Sequence, residues 1–180
     1  GKTQITLTKA TKLLVKYPRS IFLLNIIGST NRKMGNLDQA IEFFQKVITL
    51  KPDYAVAHFN LGNVYLKSGK FDAASESFKQ TIELKPDNPE AHYNLGISLQ
   101  EQSELVLAIK SYDMAISIRP DYAEAYNNMG NTFRSQGKFN RALRAYKEAI
   151  ALQPDFVQAY FNIGVILNEQ GKLDEAIEAY

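Results

Sequence analysis

The chain has 180 residues, 45% of them hydrophobic and 22% charged, and its 21 basic and 19 acidic residues leave a net charge of +2. This composition argues against a disordered chain, a run apolar enough to span a membrane, and the concentrated positive charge that phosphate backbones demand, so neither nucleic acid nor membrane is an expected partner. Cysteine is absent, which removes disulfides, thiolate metal ligands and cysteine nucleophiles together.

In chain order, residues 1–20 read as a helix closed by a proline, with Ala10, Leu13 and Pro18 as its markers. The apolar-rich stretch from Ile21 to Gly28 is interrupted by Asn25 and has no charged leader before it. Export is therefore not signalled, and a cytoplasmic location is expected. From here one pattern recurs. Gly28, Gly62, Gly96, Gly130 and Gly164 are 34 residues apart, as are Ala40, Ala74, Ala108, Ala142 and Ala176. Pro18, Pro52, Pro86, Pro120 and Pro154 hold the same step. A period of this length marks a repeat array. It sets repeats at 21–54, 55–88, 89–122, 123–156 and a shortened 157–180, with 1–20 as the degenerate last helix of a preceding repeat.

Each repeat contains two amphipathic segments. Tyr126, Met129 and Phe133 follow the i, i+3, i+7 spacing of a first helix. Gly35, Gly69, Gly137 and Gly171 then stand where that helix must end in a left-handed residue, and Ser103 in the third repeat is expected to be strained or to take another geometry. A second helix carries Phe71, Ala74, Phe78 and Ile82 on one stripe and stops at a Lys-Pro, Arg-Pro or Gln-Pro pair, because proline disfavours helical geometry in the residue before it. Helices are expected over 21–34, 37–50, 55–68, 71–84, 89–102, 105–118, 123–136, 139–152, 157–170 and from 173. The recurrent glycine and alanine allow two antiparallel helices to approach closely, beside an aromatic at Phe44, Phe78, Tyr112, Tyr146 and Tyr180. These glycines lie inside helical stripes, whereas a phosphate cradle needs its glycines in a turn before a helix.

The period, with a large residue at repeat position 4, Leu-Gly or its equivalent at 7 and 8, Ala at 20, an aromatic at 24 and Pro at 32, resembles the tetratricopeptide repeat family over residues 21–180, departing chiefly at Asn31 and Ser103. The resemblance implies an all-α fold, a right-handed superhelical solenoid of antiparallel helix pairs. Its first helices would line a concave groove for a peptide, at about positions 2, 5, 6, 9, 12 and 13 of each repeat. Those positions supply the candidate binding residues Phe59, Tyr93, Asn127 and Phe161, then Asn60, Asn94, Asn128 and Asn162, then Asn63 and Asn131, and finally Lys67 and Arg134.

Asparagine is a mediocre helix former, and its amide offers a donor and an acceptor that suit the peptide group of a bound chain. The four at position 6 resemble the asparagine ladder in the superhelical repeat domain of O-linked N-acetylglucosamine transferase. They equally suit a second role, tying neighbouring repeats together. Phe59, Tyr93 and Phe161 read either as apolar anchors for a ligand or as core. His58 and His92 occupy equivalent sites where the family has a large residue, and with no carboxylate or thiol to complete a ligand set they read as core filling, so no metal or cofactor is expected. Basic residues at positions 2, 5 and 6, which clamp acidic chaperone termini in one branch of the family, are missing here. Groove charge is graded, with Arg32, Lys33 and Lys67 early, Glu101 and Glu169 late, and Arg134 as an exception.

The expected function is a protein-interaction module, part of a larger protein, that holds a peptide or partner protein in its groove. The alternative is a scaffold whose repeats stack end to end as a homo-oligomer, because Ile177 and Tyr180 await either more chain or a neighbouring molecule. No nucleophile and base pair, carboxylate dyad or metal set recurs, so the chain is not expected to be an enzyme.

Overall fold

The computed structural model describes residues 2–179, and these form eleven α-helices and no strand. They are α1 (Lys2–Lys16), α2 (Ile21–Met34), α3 (Leu37–Leu50), α4 (Ala55–Lys67), α5 (Phe71–Leu84), α6 (Pro89–Glu101), α7 (Leu105–Ile118), α8 (Ala123–Ser135), α9 (Phe139–Leu152), α10 (Val157–Glu169) and α11 (Leu173–Ala179). Two compact units result, residues 1–87 and 88–180. Within each, a helix packs on the helix that follows it, and the first helices of successive pairs also touch: α2 with α4, α6 with α8, and α8 with α10. Tyr180, expected as the last aromatic of its series, lies outside the described residues.

The recurrent small residues set the distance between paired helices. A Cβ built on Gly28, Gly62, Gly96 or Gly130 would lie 2.8, 2.7, 2.6 or 2.5 Å from a ring carbon of Phe44, Phe78, Tyr112 or Tyr146 respectively. Hydrogen is the only side chain that fits there. The four rings are fully buried, as are Ala40, Ala74, Ala108 and Ala142 one turn earlier on the same helices. Each of these four pairs thus has one side chain of maximal size filling a slot made by two of the smallest.

Turns inside the pairs follow one geometry. Gly35 has φ 83°, its N–H donates to Arg32 O, and the N–H of Asn36 reaches Asn31 O at 3.0 Å, so the orphan carbonyls at the end of α2 are satisfied. Ser103 adopts the same conformation at φ 62°, with Glu104 N–H on Leu99 O at 2.8 Å. The serine therefore does not find another turn; it accepts the left-handed cost of about 1–2 kcal/mol. Between pairs, Arg119 and Gln153 are extended ahead of Pro120 and Pro154, as proline requires. First helices α4, α6, α8 and α10 stop one residue short of expectation. In α4 the reason is that Ser68 N–H is shared between Val64 O and Tyr65 O, a tightened last turn.

Asn31, where the family pattern has Tyr or Phe, is buried, donates to Ile27 O at 3.0 Å and accepts from Asn36 Nδ2 at 3.2 Å. The polar replacement is tolerated because both ends of its amide are engaged.

Substituting Gly130 by Ala tests the slot. Helix propensity alone favours Ala by about 1 kcal/mol, but the Cβ would meet a ring that has nowhere to go. We expect net destabilisation of about 1–3 kcal/mol. A raised melting temperature for G130A would show that Tyr146 can yield.

Candidate functional site

The 3.6-residue period places the second, fifth or sixth, ninth and thirteenth residues of each first helix on one stripe. In the unit spanning residues 1–87, the α2 stripe begins with Phe22, 72% exposed, and that of α4 with Val56, 47% exposed. Asn60 Nδ2 donates to Asn25 Oδ1 at 3.3 Å, which links α4 to α2. Phe59 is half-buried and packs edge-on against Phe78, with centroids 5.9 Å apart. Asn63 is also half-buried, and Lys33 and Lys67 are exposed at the far end. The charge here is more one-sided than the net value suggests, since every charged residue before Asp38 is basic. Arg32 holds its Nε enclosed without an acceptor.

In the unit spanning 88–180 the amides are more deeply engaged. Asn128 Nδ2 donates to the Tyr93 hydroxyl at 2.9 Å. Asn162 Nδ2 donates to Asn127 Oδ1 at 3.1 Å and to Asn131 Oδ1 at 3.0 Å, and Asn131 Oδ1 also accepts from the Tyr146 hydroxyl at 2.8 Å. Asn127 and Asn162 are buried, each 4% exposed. Asn94, Asn128, Asn131 and Arg134 are half-buried, and Phe161 is 51% exposed. The sixth residue of a repeat thus reaches back 35 residues to the fifth of the repeat before, in Asn60 to Asn25, Asn128 to Tyr93 and Asn162 to Asn127. For Asn127 and Asn162 the tie between repeats describes their position; a ligand would have to displace bonds to reach them.

Tyr93 is enclosed by Tyr112 at 5.9 Å and Tyr122 at 4.8 Å, and Arg119 lies over Tyr122 at 4.7 Å while pairing with Glu90. Gln100 Oε1 accepts from Thr132 at 2.7 Å and from Tyr112 at 3.2 Å. Neither cluster stood out in the sequence: Tyr93 and Tyr112 repeat the spacing of Phe59 and Phe78, but the contacts to Tyr122 and Gln100 depend on how successive helices are staggered. His92 is buried and His58 Nε2 lies 2.8 Å from Pro52 O, so both serve packing and loop closure. Among the described residues no cluster of three or more His, Asp or Glu is arranged for a metal, and no helix is long and apolar enough to cross a membrane.

Burial pushes Tyr146 up to about 12 and Tyr122 likewise to about 12, and it raises Tyr93 and Tyr112 as well. Arg134 opposes the shift of Tyr146, and Glu169 adds to it. The neutral phenol is the form the fold accepts.

Antiparallel helix pairs stacked through side-chain hydrogen bonds, with aromatic rings and amides along the first-helix stripe, define a helical-repeat interaction protein. A TPR repeat profile matches residues 28–69, 62–103 and 101–133, and a second tetratricopeptide repeat profile matches 127–180. The chain belongs to the tetratricopeptide repeat family and is a protein-interaction module of that kind. A crystal structure of MamA is 33% identical over 85% of this chain and 90% of its own, with a TM-score of 0.81. MamA from Desulfovibrio magneticus RS-1 shares 18% identity over 88% of this chain and 90% of its own, with a TM-score of 0.83. YrrB, described as a TPR protein with an unusual peptide-binding site, shares 21% identity over 94% and 88% respectively, with a TM-score of 0.77. No curated protein sequence matches.

Two measurements check this geometry. N162A strips a donor from the buried Asn127 Oδ1 and one of two donors from Asn131 Oδ1, and should cost about 1–3 kcal/mol, more than the roughly 0.5 kcal/mol that Ala regains as a helix former; an unchanged melting temperature would mean the amide does not hold the repeats. Because the folded Tyr146 value lies above the ordinary 10.0, its contribution is complete below pH 10 and is lost as pH rises through about 12. Y146F, which has the side chain already present at Phe44 and Phe78, should keep a larger share of its neutral-pH melting temperature at alkaline pH than the parent does.

Proposed function

We propose that the first-helix stripe of each unit is a peptide-binding surface, with exposed apolar side chains as anchors and half-buried amides as backbone partners. The observation that carries this reading is the pairing of exposed rings with amides on one stripe: Phe22 is 72% and Phe161 51% exposed, and asparagines flank them. Asn60, Asn94, Asn128, Asn63 and Asn131 are the half-buried amides along the stripe. An asparagine that donates one N–H to its neighbour retains a second N–H and a lone pair. Tyr93 and Phe59 support the surface from below, Phe161 anchors, and Lys67 and Arg134 set ligand polarity by steering more than by affinity. Peptide binding described for the similar YrrB fits this reading. Asn127 and Asn162 act on it indirectly, by fixing the spacing of α8 and α10.

Panning a random peptide library over the immobilised chain tests the proposal. Selected peptides should lose about tenfold or more in affinity against F161A or F22A, while the stability of each variant stays within about 0.5 kcal/mol of the parent because both rings are exposed. Selected peptides indifferent to every stripe substitution would place binding elsewhere.

A further inference from the structure

The second helices α3, α5, α7 and α9 each turn one stripe outward, and in three of them that stripe is mostly polar. At equivalent sites α3 has Asp38, Gln39 and Lys46, α5 has Asp72, Ala73 and Gln80, and α9 has Asn140, Arg141 and Glu148. The corresponding residues of α7 are Val106, Leu107 and Met114, and they are 62%, 46% and 47% exposed. Single exposed hydrophobic residues are ordinary; three on one stripe of one helix, where three sister helices have almost none, are not. The helix is internal to the chain, and its buried face is already filled by Ala108, Tyr112 and Ala115.

Lys110 and Asp113 lie exposed on the same stripe, and neither forms an ion pair within the described residues. They decide the occupant. A second α7 running antiparallel offers each its opposite, which a surface of a single charge sign does not. We propose that this face of α7 is an isologous contact between two copies of the chain. In an antiparallel pair centred near Lys110, Leu107 meets Met114 of the second copy, the reciprocal contact follows by symmetry, and Lys110 reaches Asp113 of the second copy on both sides of the axis. The surface is distinct from the first-helix stripe, so the contact and the peptide-binding reading stand or fall separately.

Sedimentation velocity on the whole chain, up to about 100 µM, tests the contact. The parent should show a monomer and dimer in equilibrium, and L107E/M114E should be monomeric with an unchanged melting temperature and unchanged affinity for any selected peptide. K110E and D113K should each weaken the dimer by about tenfold or more, because each sets two pairs of like charges together. Mixing K110E with D113K in equal amounts should restore it, since in the mixed dimer every charge again faces its opposite. A parent that stays monomeric, a dimer that survives L107E/M114E, or a mixture no tighter than its components would overturn the proposal.

Discussion

The structure depends on how closely two helices can approach at one point in each pair. With a ring carbon of Tyr146 standing 2.5 Å from where a Cβ on Gly130 would be, and the other three rings within 2.8 Å of theirs, the interhelix distance is set by the absence of a side chain. The alanine one turn before each ring keeps the remaining space small. Everything outside this contact is positioned by it: the turn must close over two or three residues, and the first-helix stripe must face away from the second helix. The outward stripe of α7 is fixed by the same burial of Tyr112.

A second layer of order comes from side-chain amides and hydroxyls. Where the fully buried ring is Phe44 or Phe78, the neighbouring contacts are apolar, with Ile41, Val64 and Ile48 beside Phe44. In the 88–180 unit the corresponding tyrosines add a hydroxyl, and it finds Gln100 or Asn131. These acceptors in turn serve Thr132 and Asn162 of the following helix pair, so one oxygen joins a pair internally and to its neighbour. Such shared oxygens make removal of one partner costly for several. An amide that donates one N–H to its neighbour keeps a second, so under the proposed reading scaffold and binding surface need not be separate residues.

Much of this was legible in the residues. The glycine, alanine and proline series repeat because each answers a steric demand that recurs in every pair, so the helices, their partners and the left-handed turns at the glycines could be placed; at Ser103 the residues left a strained left-handed turn and another geometry both open. Helix ends were misplaced by one residue where a shared N–H tightens the last turn, a detail that composition does not encode. The asparagines could be put on a stripe but not given partners: whether Asn162 turns to a ligand or to Asn127 depends on rotamer and on the stagger of adjacent helices. The ion pair of Arg119 with Glu90 was hidden for a similar reason, since it joins residues that do not recur. The apolar stripe of α7 is readable only when the outward sites of the repeats are set side by side, because Val106, Leu107 and Met114 belong to no recurring series.

Contacts in each unit run only between helices adjacent in the chain or between first helices of successive pairs, and no hydrogen bond described above spans more than 35 residues. No long loop has to close before the first contacts form, so chain entropy presents little barrier and folding can start at any pair. The converse holds for unfolding. A helix at the margin of a unit can separate without disturbing the pairs beyond its neighbour, and amide exchange should therefore be graded, fastest at the margins and slowest beside the buried tyrosines. A single melting temperature would then average over a series of partial openings.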